Sequence, residues 1–433
     1  MSKVVKFGGS SLADAKQFKK VYDIIKSDPE RVYVVPSAPG KRNKNDIKVT
    51  DLLIQLYKDK SEDTLNLIKG RYQEIISDLK LDLSLEDDFK EIFYAAKNNE
   101  SYDYIVSRGE YLNGKVLASY LDYDFLDPKD VIFIDDEGNY DAKKTDPLLS
   151  NALASHKNVV IPGFYGTSST TGKIKAFSRG GSDVTGSIVA KNGKVDLYEN
   201  WTDVSGFLMC DPRIVDNVQT IRTVTYKELR ELSYMGASVL HENSIFPIAG
   251  QGIPIQIKNT NAPEDEGTLI VESTCHKPTH VITGIAGKKG FATVTIEKDL
   301  MNNEIGFGRK VLEVFEKNFM SFEHMPSGID TMTIIVNTED FIEHEQEVIA
   351  GIHRAVNPDS IVLESDLALI AVVGRGMESS HGVAAKVFNA LAKEDINIKM
   401  IDQGSSELNI IVGVRNMYFE KAIQAIYKEF IDD

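Results

Sequence analysis

The stretch VVKFGGSS, Val4 to Ser11, decides the fold. Two β-branched residues, a lysine and a phenylalanine predict a short buried strand, and the Gly-Gly-Ser-Ser that follows predicts a tight turn. Gly8 and Gly9 carry no Cβ, so main-chain N–H groups there can approach a ligand closely. The segment from Asp14 to Ile25 reads as a helix that aims its positive end at the same place. With Lys6 beside it, that geometry suits a phosphate. It matches neither usual nucleotide loop: a Walker A lysine follows its glycines and precedes Ser or Thr, and a dinucleotide fingerprint has three glycines at fixed spacing. Taken alone, Lys-x-Gly-Gly reads more simply as an ordinary strand-to-helix turn, so the case rests on the remaining segments.

A chain of 433 residues exceeds one typical core and predicts two or three domains. The hydrophobic fraction of 42% with 26% charged residues is that of a globular protein. No apolar run reaches the roughly 18 residues a membrane span needs. Met1 leads straight into the first strand without the sections of a secretory signal, which predicts a cytoplasmic protein with no membrane partner. Cys210 and Cys275 are too few for a disulfide framework and are expected as reduced thiols. A net charge of −16 disfavours nucleic acid as a partner, so an anionic substrate must be captured by local cations and backbone donors.

Outward from the opening strand, Val32 to Val35 reads as a second buried strand running into PSAPGKRNKND, a loop of the kind that flexes over an active site. Thr50 to Leu56 resumes a helix. Leu65, Ile68, Tyr72, Ile75 and Leu79 recur in steps of three and four, one helix face that implies packing. The acidic run Leu85 to Asp88 reads as a solvated turn between helices. SRGE, Ser107 to Glu110, starts a helical stretch through Leu121, and Val131–Ile134 and Val159–Ile161 read as short buried strands. Strands alternating with helices predict an α/β fold with a largely parallel sheet. FSRGGSDVTGS, Phe177 to Ser187, then sets a glycine pair between an arginine and an aspartate ahead of a helix. ENWTDVSGFLMCDPRIV follows at Glu199 to Val215, and a helix is completed at Met235 to Asn243.

Past a linker-like NAPEDEG at Asn261 to Gly267, the chain repeats itself. Ala292–Ile296, Gly308–Asn318, Met320–Met325, Met332–Val336, Thr338–Ala350 and Ser360–Leu363 read strand, helix, strand, strand, helix, strand. Ala368–Val373, Gly382–Glu394, Ile398–Gln403, Glu407–Val412 and Met417–Phe430 repeat that order and lack the last strand. Val281–Ala286 is a spare strand, which predicts that the first repeat is nested inside the second.

KFGGSS, SRGE, SRGGSD at Ser178 to Asp183, WTDVSGFLMCDPR at Trp201 to Arg213, GASVLH at Gly236 to His241 and the paired repeats together resemble the aspartate kinases over essentially the whole chain. The resemblance implies an amino acid kinase fold over 1–270, followed by two βαββαβ repeats of the ACT type. These would cover 297–365 for the first and 281–296 plus 366–433 for the second. It implies transfer of the ATP γ-phosphoryl group to the β-carboxylate of L-aspartate, the first step of lysine, threonine and methionine biosynthesis. Magnesium would accompany the ATP, with no dedicated protein cage.

Carried over motif by motif, Lys6 neutralises the phosphoryl group in flight, Asp183 orients it, and Gly8, Gly9 and Ser10 donate to phosphate oxygens. Arg179 suits the substrate α-carboxylate as a bidentate fork and Glu110 its ammonium, with Ser37, Ala38, Thr50, Phe164 and Ser182 around them. Thr202, Asp203, Gly206, Asp211 and Arg213 match the nucleotide contacts; Pro212 and Asp211 also make DPR a capped turn. Many relatives place a lysine where this chain has Ser238, and Lys258 is the candidate to replace it. The basic loop bearing Lys41, Arg42, Lys44 and Lys48 is open to two readings, a closing lid or a plain surface loop.

His241 lacks a second histidine for a zinc motif, and Cys275, His276 and His280 lack a fourth ligand. The repeats imply feedback by lysine, threonine or both through a homodimer or homotetramer. Ile305, Gly306, Ser321, Glu323, Met325 and Ser327 of the first repeat are the candidate effector contacts. Two other readings compete: a kinase of acetylglutamate or glutamate, and a catalytically inactive amino-acid sensor. Intact Lys6, Arg179 and Asp183 argue against the second.

Overall fold

The computed structural model describes residues 2–178, 180–237, 246–274, 278 and 280–431. Arg179, the residues of GASVLH from Ser238 on, Cys275 and His276 lie outside them. The chain forms two units, one from Met1–Phe207, Thr220–Leu229 and Ser238–Cys275, the other from Leu208–Gln219, Arg230–Ala237 and His276–Asp433. Two excursions that fall inside the predicted 1–270 catalytic stretch thus group with the C-terminal unit.

The first unit is built on β1 (Lys3–Phe7), β2 (Arg31–Pro36), β3 (Asp124–Phe125), β4 (Phe133–Ile134), β5 (Val159–Val160), β6 (Tyr165–Ser168), β7 (Ile174–Ala176), β8 (Leu197–Thr202), β9 (Thr223–Thr225), β10 (Ile255–Asn259) and β11 (Thr268–Val271). Eight of them form a sheet in the order β3-β5-β2-β1-β8-β10-β11-β9, while β4, β6 and β7 make a small separate one. From β3 to β10 every neighbour runs parallel; only the β10–β11 pair is antiparallel. Parallel strands covered on both faces are near-continuous in apolar residues, and β1 obeys except at its first residue, Lys3, which pairs with Asp28, and at Lys6, which is 8% exposed in the middle of the sheet. The register sets Lys6 beside Asn200 and Phe7 beside Trp201. Alternation therefore puts Lys6 and Asn200 on one face, Phe7 and Trp201 on the other.

Local chemistry fixes the helices. Asp14 caps Ala15–Lys26 by accepting from Gln17 N at 2.9 Å. Ser101 caps Tyr102–Leu121, so that helix begins a turn and a half before SRGE, and Glu110 lies inside it, buried, rather than at an exposed helix start. The acidic run is not a solvated turn either: Glu86, Asp87 and Asp88 form the first turn of Glu86–Lys97, where negative charge opposes the helix dipole. The Leu65-to-Leu79 stripe is buried as predicted, on Glu62–Asp78 and its C-cap Leu79.

The second unit carries β12 (Gly284–Glu297), β13 (Thr331–Asn337), β14 (Ser360–Val373), β15 (Met400–Asp402) and β16 (Asn409–Val414) in one sheet of order β13-β12-β14-β16-β15. The strands predicted separately at 281–286 and 292–296 are one strand, as are those at 360–363 and 368–373. Gly284 to Lys289 pair antiparallel with Ala368 to Val373, and Phe291 to Glu297 with Ser360 to Leu367. Both halves meet at an irregularity around Gly290, whose φ of 91° gives the kink. The predicted strand Met320–Met325 appears only as isolated bridges, His324 with Ile335 and, just beyond it, Ser327 with Met332.

Candidate active site

Lys6 leaves the C-terminal end of β1 and meets Asp183 in the first turn of the Gly181–Gly193 helix, Nζ to Oδ1 at 2.6 Å. Asn200 Nδ2 donates to the same oxygen at 2.8 Å. The pair is mostly buried, so the carboxylate holds the ammonium in one place with little screening. The sequence motif contained Asn200 without marking it. Its signal was a polar residue in a buried strand, in register with a lysine.

After β1 the chain turns sharply. Gly8 N–H donates to Trp201 O at 3.0 Å, so this glycine fastens the turn and its own N–H is spent. Gly9 opens a short 3₁₀ turn, Gly9–Leu12, and the leading N–H groups of such a turn have no acceptor within it. A Cβ on Gly9 would stand 2.8 Å from Ala38 O, and one on Gly40 would stand 2.6 Å from the Gly9 carbonyl carbon. The glycine turn and the loop after β2 thus touch backbone to backbone, joined by Gly40 N–H to Gly9 O at 2.8 Å.

Ala38 carries that contact to Glu110. Its N–H donates to the Glu110 carboxylate, which is 6% exposed and has one oxygen, Oε2, without a partner. Burial pushes the Glu110 carboxyl up to about 7, against the pull of the Ala38 N–H, Arg108 and Lys6. Asn113, one turn on, donates from Nδ2 to Ser37 O at 2.6 Å and holds the loop from beneath. Thr50 opens the neighbouring Val49–Asp59 helix. Gly163 lies so close to Ser182 that a Cβ would meet its Oγ at 2.6 Å. Phe164 is held at φ 82°, a left-handed conformation costly for an aromatic residue, with its N–H on Thr185 Oγ1 at 3.1 Å. Lys6, Gly9, Ala38, Glu110 and Asp183 therefore form one continuous wall, and Phe164 and Ser182 form a second contact at the Asp183 helix.

The nucleotide candidates are divided. Thr202 ends β8, its hydroxyl on Asp203 at 3.2 Å. Gly206, at φ 103°, is pressed against Thr268, where a Cβ would come within 2.4 Å of the hydroxyl. Asp211 and Arg213 group with the second unit and pair with each other at 2.6 Å, the capped turn expected of DPR. Lys258 sits beside Trp201 in register, on the sheet face opposite Lys6. Its ammonium lies over the Trp201 ring at 5.4 Å and donates to Asp265 O at 2.5 Å, so strand alternation directs it away from Lys6.

In the second unit, Ile305 is 98% exposed next to Gly306 at φ 79°, and Ser321 and Ser327 are exposed. Met325 packs on the first repeat's core, and Glu323 accepts from the Tyr234 hydroxyl. Cys210 is buried, which pushes its thiol up to about 12 and keeps it inert. No helix among the described residues is long and apolar enough to cross a membrane.

With this geometry in place, the chain was compared with known proteins. Residues 1–259 match the amino acid kinase family and residues 370–430 the ACT domain. Aspartokinase 3 of Bacillus subtilis (strain 168) is 42% identical over 448 aligned residues, covering 99% of this chain and 98% of the relative. The chain belongs to the aspartate kinase family. The crystal structure of Clostridium acetobutylicum aspartate kinase is 51% identical and superposes with a TM-score of 0.92 over 99% of this chain and 100% of that one. Aspartokinase III of E. coli, in complex with aspartate and ADP (R-state) or with lysine and aspartate (T-state), gives TM-scores of 0.76 and 0.74. The two cover 100% and 99% of each chain; at 23% and 24% identity they show the shared fold alone. The aspartate kinase reading of the motifs, the α/β fold and the presence of ACT-type regulatory structure are borne out, and the activity is that of an ATP-dependent aspartate kinase.

Proposed function

We propose that the wall from Lys6 to Glu110 is the place where the γ-phosphoryl group of ATP passes to the β-carboxylate of L-aspartate. The observation that carries this reading is the unpartnered Glu110 oxygen, buried at one end of a wall whose other end is the Lys6–Asp183 pair. A buried carboxylate left without a cation is costly, and an α-ammonium supplies that cation. Once it is seated, the carboxylate at the far end of the substrate points toward Lys6. That carboxylate is already ionised at neutral pH, so no general base is needed.

Its oxygen forms a bond to the γ-phosphorus as the bond from phosphorus to the bridging oxygen of ADP breaks. Lys6 neutralises the charge spread over the phosphoryl oxygens, and the N–H groups of Gly9 and Ser10 support it. Asp183 and Asn200 hold Lys6 for that task. Arg179, next to Ser178, completes the substrate site as the α-carboxylate ligand.

Magnesium accompanies ATP, bound by phosphate oxygens and water, and neutralises phosphate charge when present. Asp183 fits this arrangement, because its two described partners share Oδ1 and leave Oδ2 for a metal-bound water. The enzyme works in the cytoplasm as a homodimer or homotetramer joined through the ACT repeats. Lysine, threonine or both bind near Glu323, where release of Tyr234 would free its carboxylate for the effector ammonium.

ATP-dependent hydroxamate formation from L-aspartate, with and without lysine and threonine, tests the reading. Turnover is expected in the wild type, with Lys6→Ala reduced by roughly a thousandfold in kcat. Wild-type turnover by Lys6→Ala would remove that residue from the reaction.

A further inference from the structure

Arg71 was part of no motif and lies on the Glu62–Asp78 helix between residues that pack the core. It is 5% exposed, and its guanidinium reaches three separate segments. Nε donates to Ala13 O at 3.3 Å, at the exit of the Gly9–Leu12 turn. One terminal nitrogen donates to Gly40 O, in the loop packed against Gly9. The other meets Asp46 Oδ2 at 2.7 Å. Asp46 also accepts from Arg42, through its backbone N–H at 2.8 Å and its guanidinium at 3.0 Å, and the two arginines hold its carboxyl well below the usual range. Arg42 in turn pairs with Glu74 at 2.6 Å, one turn along the helix from Arg71. The basic loop is thereby fastened to the same helix.

We propose that Arg71, anchored by Asp46, is a positioning residue for phosphoryl transfer. Its hydrogen bonds go to neither Lys6 nor Gly9, but they hold the segments on both sides of the Gly9–Leu12 turn: Gly40, whose N–H donates to Gly9 O at the entry, and Ala13 at the exit. The planar fork is what makes this possible, since one cation addresses three acceptors in fixed directions. A lysine keeps the charge and loses the geometry. The consequence falls on the phosphate donors more than on the amino-acid end, because Ser37 and Ala38, though on the same loop as Gly40, are held by Asn113 and Glu110 from a different helix. This proposal rests on Gly9 and Ser10 being the phosphate donors.

The test compares Arg71→Lys and Asp46→Asn with Gly9→Ala, measuring kcat, separate KM values for ATP and aspartate, and the thermal midpoint. Arg71→Lys is expected to raise KM for ATP roughly tenfold, at the lower end of what a lost charge-assisted hydrogen bond costs. KM for aspartate should stay within about twofold, and Asp46→Asn should move the same constant less. An unchanged KM for ATP in a folded Arg71→Lys, or equal rises in both KM values, overturns the proposal. If Arg71→Lys does not fold, Asp46→Asn decides by the same criteria. Gly9→Ala keeps the N–H but drives a Cβ to 2.8 Å from Ala38 O and so displaces the turn itself, which separates the two levels: if it leaves KM for ATP unchanged, the donor assignment fails; if it raises KM while the Arg71 and Asp46 variants do not, only the positioning role fails.

Discussion

Glu110 and Asp183 are two carboxylates of the first unit, and they stand in opposite conditions. Asp183 has its charge answered by Lys6 at 2.6 Å and by Asn200 at 2.8 Å. Glu110 has backbone donors alone, the N–H groups of Ala38 and of Glu110 itself, an oxygen without a partner and a carboxyl raised to about 7. A carboxylate with its partners already in place holds other groups still. One without them has kept its binding capacity for something that arrives. On the proposed reading, the contrast separates a residue that arranges the chemistry from one that selects the substrate, although both are acidic.

The sharpest way to break the comparison is at Asp183. Asp183→Ala should lower kcat by roughly a hundred- to a thousandfold with KM for aspartate changed little, because Lys6 loses its fixed position while the amino-acid end is untouched. A large rise in KM for aspartate instead would make the two carboxylates equivalent. Glu110→Gln should act the other way, raising KM for aspartate by roughly 10- to 100-fold, the value of a charge-assisted hydrogen bond, with KM for ATP preserved. Asn200→Ala, which removes the second clamp on Asp183, should cost about tenfold in kcat. Steady-state kinetics with each substrate varied in turn reads all three.

The smallest effect is a proton. The folded carboxyl of Glu110 titrates near 7, above its ordinary 4.5, so the free enzyme keeps a proton there that an ammonium would expel. Aspartate binding below pH 7 should release protons, measured as a dependence of the calorimetric heat on buffer ionisation enthalpy, and KM for aspartate should fall as pH rises from 6 to 8. The same shift bears on stability. The raised value means that the contribution of this group is full below pH 4.5 and lost as pH rises through 7. The thermal midpoint of the wild type should therefore decline relative to Glu110→Gln across that interval.

Much of this site was legible in the sequence because its parts are local. Lys6 and the glycines share one turn, Asp183 follows its own glycine pair, and buried parallel strands announce themselves by apolar runs. What escaped depends on the third dimension. Asn200 gains its meaning from being in register with Lys6, nearly two hundred positions earlier. Arg71 hid within a stripe correctly read as packing, since spacing shows which face a residue shares but not which loop its side chain reaches. Lys258 lies on the sheet face opposite Lys6, which only the strand register reveals. The burial of Glu110 turned on Ser101, a cap placed nine residues upstream that starts the helix earlier than SRGE suggests. Phe164 at φ 82° has no local mark at all, because its strain is imposed by neighbours.

The two 14-residue strands of the C-terminal sheet, β12 and β14, bear on how the protein is made. Gly284 pairs with Val373, so during synthesis the start of β12 leaves the ribosome long before its partner exists. The intervening repeat can assemble its own core of Val294, Phe315, Ile334 and Val348 while that edge waits. Pairings of such high sequence separation form slowly, and an unpaired strand edge is a site of misassociation. The contacts that weld the two repeats into one sheet thus close only after the first repeat is made, with β16 still to add to β14, and a polypeptide released before Val373 would expose the seam.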